Sequence, residues 1–282
     1  MFRIPRPQYN VATIYTNCIN RTEDEAQRNS LTAEGARVLA RCEKYAACAE
    51  DMTLFSIAPE PPVNLPREDL SDIYDRIVVG GGERYVFLGI KAAAPYKRCP
   101  FCAHRDVASL DHYLPRENYP EFAVLPVNLV PCCSGCNGEK RAFIPNAEGD
   151  QLFHPYFDDW SMYDLLTANI EIGSYVDVSF GITATGVPDL VRQRAQSHFD
   201  RLKLDELYSS NAAAELISKR EDFRMTFEAD GPEALRQDLA REATTRQLPF
   251  RNAWQPALYR ALAECAQFWQ GDYALIETPV AL

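Results

Sequence analysis

Five of the nine cysteines crowd into one short stretch, as Cys99-Pro-Phe-Cys102 and Cys132-Cys133-Ser-Gly-Cys136. A Cys-x-x-Cys pair sets two thiolates on one tight turn, and two such pairs supply the tetrahedral four-sulfur shell that Zn2+ favours. A shell of four protein ligands with no open position is structural rather than catalytic. Cys99, Cys102, Cys133 and Cys136 are therefore the expected zinc ligands. Cys132 is the surplus thiol, because only Cys133 keeps the two-residue gap to Cys136. Buried unliganded thiols and a thioredoxin-like redox pair are the competing readings, and the redox pair wants a βαβ setting that is not visible here. Cys18, Cys42, Cys48 and Cys265 are scattered and read as small buried hydrophobes in a reducing compartment.

The knuckles are separated by 30 residues, more than a compact zinc ribbon needs, so something else is folded between them. That interval holds Asp111-His112-Tyr-Leu-Pro-Arg116 and Asn128-Leu-Val-Pro, and the second knuckle runs on into Asn137 and Lys140. In this order, the set resembles the HNH endonuclease family over about residues 96–142. The resemblance implies a ββα-metal fold: two short antiparallel strands, a loop, and a helix gripping one divalent cation. It implies His112 as general base, Asn128 as the residue that orients it through backbone or side chain, and Asp111 and Asn137 as ligands of a catalytic Mg2+ or Mn2+. Asn137 stands where the family has its second His, which makes this an HNN variant. Carboxylate and amide oxygens are hard ligands that suit Mg2+ or Mn2+, whereas an imidazole would widen the choice towards Zn2+ or Ni2+. Arg116 and Lys140 are the candidate phosphate clamps.

The implied chemistry is metal-dependent hydrolysis of a nucleic-acid phosphodiester, DNA being the expected substrate, with 5′-phosphate and 3′-hydroxyl products. The rival from another class is a non-catalytic, zinc-stapled binding module within a larger assembly. The remaining histidines have plainer readings. His104 falls in a loop past the first knuckle, and His198 in a helical stretch as a core residue. His154, in Phe-His-Pro-Tyr-Phe-Asp-Asp, is expected to pack against the zinc module, with closure of the cleft or contact with the cation as the other options.

The elements that must position these residues indicate an α+β protein, with a small module flanked by mainly helical regions. Residues 1–95 read as helical: Leu31, Val38, Leu39, Cys42 and Tyr45 have helical spacing between Asn29 and Met52, with capping residues from Ser30 to Glu34. A break rich in proline follows at Pro59, Pro61, Pro62 and Pro66. Further helices are expected over Arg67–Val79, ended by Gly80-Gly81-Gly82, and from Glu83 to about Ala94. Residues 96–150 form the module, with a first strand over Ser109–Leu114 and a final helix beginning near Ser134. Asp111 and His112 point opposite ways in a regular strand, so serving one site requires a strand end or a twist there. In residues 151–282, Ile170–Phe180 has β character, and Leu207–Phe227, Pro232–Ala243 and Trp254–Trp269 read as amphipathic helices.

Composition sets the outer limits. The chain has 282 residues, 46% hydrophobic and 24% charged, which suffices for a real core in one or two domains. No stretch approaches the ~20 apolar residues of a membrane span, and the start lacks the apolar core of a secretory signal, so a cytoplasmic protein is expected. The formal charge of −11 excludes a uniformly basic nucleic-acid coat. Residues 97–141 hold six basic and five acidic side chains, so the module is nearly neutral. That balance favours substrate delivery by another subunit, or a substrate held mainly through metal and backbone contacts; a protein partner or self-association is expected. The whole-chain layout is similar, more weakly, to HNH nuclease subunits of Septu-type anti-phage defence systems, which implies a partner ATPase.

Overall fold

In the computed structural model, which describes residues 1–277, the chain forms two compact units. One comprises residues 3–159; the other runs from Trp160 onward and includes Met1 and Phe2. Where the sequence suggests divisions after residues 95 and 150, the helical lead-in and the cysteine module share one unit. The fold is α+β, with two separate two-stranded antiparallel sheets among helices.

In the first unit, α1 (Val11–Asn20) is capped by Asn10, whose side chain accepts from the Thr13 N–H. The long helix α2 (Glu25–Glu50) starts earlier than residues 29–34 suggest, because Asp24 caps it by accepting from the Gln27 N–H at 2.7 Å. Gly35 continues the helix where α2 meets α1, and a Cβ there would lie 3.5 Å from the Tyr15 ring. Leu31, Val38, Cys42 and Tyr45 form the buried face. The helix expected over Arg67–Val79 is in two pieces: α3 (Arg67–Ser71), then a wide π-type turn over Tyr74–Val79 closed by Gly80 N–H donating to Asp75 O. Helix α4 (Arg84–Ala92) follows.

The cysteine module contains β1 (Ser109–His112), β2 (Leu129–Cys132) and α5 (Ser134–Lys140). The strands pair antiparallel from Ser109↔Cys132 to His112↔Leu129. Strand β1 ends at His112, two residues short of the expected end. The connection from 113 to 128 is part of the core, with Tyr113, Leu114, Tyr119, Phe122, Val124 and Leu125 all buried. It is tied to α2 by a buried ion pair, Arg41 Nη2 to Glu121 Oε1 at 2.7 Å, and by Tyr45 packed edge-on against Phe122.

The second unit opens with a hairpin of β3 (Leu166–Ile172) and β4 (Val176–Ile182), paired from Leu166↔Ile182 to Ile172↔Val176. The single β segment expected over Ile170–Phe180 is thus two strands, with the turn at Gly173–Tyr175. Helices α6 (Asp189–Arg201), α7 (Leu204–Asp230), α8 (Pro232–Gln247), α9 (Trp254–Glu264) and α10 (Ala266–Trp269) follow. The expected helix over Trp254–Trp269 is broken by extended backbone at Cys265. His198 is fully buried in this unit. Among the described residues, no helix is long and apolar enough to cross a membrane.

The Arg41–Glu121 pair has side chains 7% and 0% exposed, and truncating one partner strands the other charge in the core. Arg41→Ala should therefore destabilise this unit by roughly 3–5 kcal/mol, measured as the shift in a urea unfolding transition.

Candidate metal centre and adjoining cavity

The four expected ligands converge. The sulfurs of Cys99, Cys102, Cys133 and Cys136 all lie within 4.8 Å of one another and all four residues are buried. The Cys102 and Cys133 sulfurs are 4.0 Å apart, close to the edge of a tetrahedron with Zn–S bonds of about 2.3 Å. The knuckle turns aim backbone donors at sulfur, with Arg105 N–H on Cys102 Sγ at 3.4 Å and Cys136 N–H on Cys133 Sγ at 3.3 Å. These donors stabilise thiolate, as a metal site needs. Hydrogen bonding from Cys102 and the other neighbouring thiols drives the Cys133 thiol down. The cluster can hold a metal such as zinc. Cys132 stays outside it, with its sulfur turned to the Cys133 carbonyl at 3.4 Å. All nine cysteines are free thiols.

Cys133 is also the N-cap of α5, and Cys136, Asn137 and Lys140 follow it at helical spacing on the same face. That stripe carries the metal cluster into a second feature. A cavity of about 340 Å3 is lined by Asp111, His112 and Asn137, and by Tyr74, Arg116 and Arg141. The strand end at His112 is what lets Asp111 and its neighbour reach one space.

His112 is half-buried, and its Nε2 lies 2.9 Å from the Ala123 carbonyl. A carbonyl oxygen only accepts, so Nε2 carries the proton and the neutral ring keeps its lone pair on Nδ1. Burial pushes the ring's pKa down to about 3; the Ala123 carbonyl opposes this, while Arg116 and Lys140 add to it. The imidazole is therefore neutral at ordinary pH, with an unprotonated Nδ1.

Asp111 is 5% exposed. Its Oδ2 faces Lys140 Nζ at 2.9 Å, an ion pair without the alignment of a hydrogen bond. Burial raises its carboxyl above the ordinary range and Lys140 pulls it back. Asn137 is half-buried at the start of α5, and its side chain makes no hydrogen bond among the described residues.

Lys140 corrects an expectation. Its side chain is 1% exposed, and Nζ donates to the His112 carbonyl at 2.8 Å while pairing with Asp111. It is an internal brace between α5 and β1, not a group turned out to a phosphate. The neighbouring Arg141, which the sequence did not single out, lines the cavity and is exposed. Arg116, the other candidate phosphate clamp, lines the cavity and is held by Asp75 at 2.7 Å.

Asn128 is tied to the segment that follows His112. Its fully buried side chain accepts from Leu114 N–H at 2.8 Å and donates to the Leu114 and Phe122 carbonyls at 3.0 and 3.2 Å. Its own carbonyl accepts from Tyr113 N–H. It therefore acts on His112 through the backbone that follows it, with no direct contact to the ring. His154 is buried away from the cavity lining, with Nε2 3.1 Å from Tyr45 Oη and its ring 4.2 Å from that of Tyr113. Packing is its role, as expected. Tyr74, whose ring stands edge-on to His112 at 4.6 Å, is a cavity residue that no sequence motif announced.

These features define an α+β protein in which a two-strand and helix module carries a four-cysteine cluster able to hold a metal, beside a histidine-containing cavity. Protein ea31 of Escherichia phage lambda is 31% identical over 216 residues, spanning 70% of this chain and 67% of that protein. The chain belongs to the ea31 family. No family model and no solved structure matches it.

Two outcomes are expected. Purified protein should contain about one zinc per chain by elemental analysis, and Cys99→Ser or a strong chelator should unfold the module, read as a large drop in melting temperature. Nitrogen-15 NMR should show the His112 ring neutral with its proton on Nε2 and no titration between pH 7.5 and 5.5, since burial places its protonation well below the ordinary value near 6.5.

Proposed function

We propose that the protein is a metal-dependent endonuclease of the HNH type that hydrolyses phosphodiester bonds in nucleic acid, with DNA as the substrate. The observation that carries this reading is the cavity itself: Asp111, His112 and Asn137 line one space, with the His112 proton held on Nε2 by Ala123 and the unprotonated Nδ1 left for water.

The donor set fits a catalytic cation. Lys140 engages Asp111 through Oδ2, and Oδ1 makes no hydrogen bond among the described residues. The carboxylate and the Asn137 amide are hard oxygen donors suited to Mg2+ or Mn2+. When bound, such an ion would supply Lewis-acid stabilisation of charge on the phosphate and the departing oxygen.

The protein's own groups do the rest. His112 Nδ1 accepts a proton as a water oxygen attacks phosphorus, and the bond from phosphorus to the 3′ oxygen breaks. The Ala123 carbonyl keeps the imidazole in that tautomer and stabilises the positive ring that forms. Arg116 and Arg141 offer charged donors to phosphate oxygens at the rim. The formal charge of −11 supports delivery of substrate by a partner protein, such as an ATPase subunit, or by self-association, because a chain this acidic gains little from non-specific attraction to DNA.

The test incubates zinc-loaded protein with plasmid DNA and Mg2+ or Mn2+. His112→Ala should lower the cleavage rate by ~10^2–10^4-fold with zinc content and circular dichroism unchanged. Equal cleavage by the variant removes His112 from the mechanism. Absence of cleavage by the wild type with every metal, alone and with candidate partners, favours the zinc-stapled binding module.

A further inference from the structure

We propose that Tyr74 and Asp75, from the wide turn that follows α3, are positioning residues that hold Arg116 as the phosphate-binding arm of the cavity. This rests on the nuclease reading above and assigns the helical lead-in a part in substrate binding.

The contacts form an unbroken chain. Asp75 Oδ2 accepts from Arg116 Nη1 at 2.7 Å. The Arg116 guanidinium lies over the Tyr74 ring, 5.3 Å from its centroid. The same ring stands edge-on to the His112 imidazole at 4.6 Å. Tyr74 thus has the guanidinium on its face and the imidazole against it, and both of those groups line the cavity with it.

A guanidinium carries five N–H donors in a planar fork. Among the described residues, the Asp75 bond takes one of them, so the rest of the fork remains for phosphate oxygens. A free arginine must give up rotamer freedom when it binds; here the carboxylate and the ring have already fixed it. The turn is of the π type, with an i to i+5 bond from Gly80 to Asp75, and such turns recur at functional sites. A regular helix through these residues would carry Tyr74 and Asp75 to different positions around the axis.

The experiment is a double-mutant cycle on zinc-loaded, full-length protein, reading kcat and KM for cleavage of a labelled DNA duplex. The same duplex is titrated by fluorescence anisotropy with Mg2+ and Mn2+ omitted. Asp75→Ala should raise KM and the dissociation constant by ~2–5-fold, the scale of an exposed ion pair, and leave kcat unchanged. Asp75→Glu should recover part of that loss. Tyr74→Phe keeps the ring face and should raise KM less than Tyr74→Leu, which removes it. Arg116→Ala should raise KM by ~10-fold or more, and adding Asp75→Ala to it should change nothing further.

A lower KM in Asp75→Ala would mean that the carboxylate merely competes with phosphate, and would overturn the proposal. So would an Asp75→Ala effect that persists in full without Arg116. Should the wild type cut nothing, the nuclease reading fails, and the anisotropy cycle decides separately: binding lost through Arg116 with no further loss through Asp75 supports the positioning role, and binding indifferent to Arg116 refutes it.

Discussion

A buried ammonium group holds the site together. Lys140 Nζ sits between the His112 carbonyl and the Asp111 carboxylate, and it reaches them from the last turn of α5. An isolated carboxylate as buried as Asp111 would shed its charge, because desolvation favours the neutral acid. The ammonium lets the anion persist next to the imidazole, and the hydrogen bond to the His112 carbonyl fixes the distance between helix and strand. The position of Asn137, one turn back along α5, follows from the same brace.

The other end of α5 is fixed by sulfur. Cys133 caps the helix and belongs to the four-thiol cluster, with Cys136 one turn further on. The cap and the seven helical residues together therefore carry two of the four clustered thiols, a candidate cation ligand and the lysine brace. So short a helix has little stability of its own, and its geometry comes from what its two ends are tied to. On the strand side, Asn128 plays the matching part by pinning the backbone just after His112.

Much of this was legible because it depends on spacing. Two residues between paired cysteines and helical intervals in α2 are local properties, and the cluster follows from the first; the ββα path was implied by the family resemblance. The misses have non-local causes. Helix α2 begins at Asp24 because that carboxylate reaches the Gln27 N–H, a better cap than Ser30, which ends up inside the helix. Lys140 reads as surface charge until the fold brings Asp111 to it. Tyr74 carries no motif, and its place against His112 depends on how the lead-in packs over the module. Ile170–Phe180 looked like one strand because the turn residues between β3 and β4 break the alternation only weakly.

The wide turn over Tyr74–Val79 has a length consequence. A π-type turn holds one residue more than an α-helical turn. Shortening the segment by one residue would restore regular winding and rotate whatever lies beyond it by about 100°, carrying the tyrosine and its neighbouring carboxylate off the imidazole and the guanidinium together. In this stretch chain length, together with side-chain identity, governs how the lead-in meets the cavity.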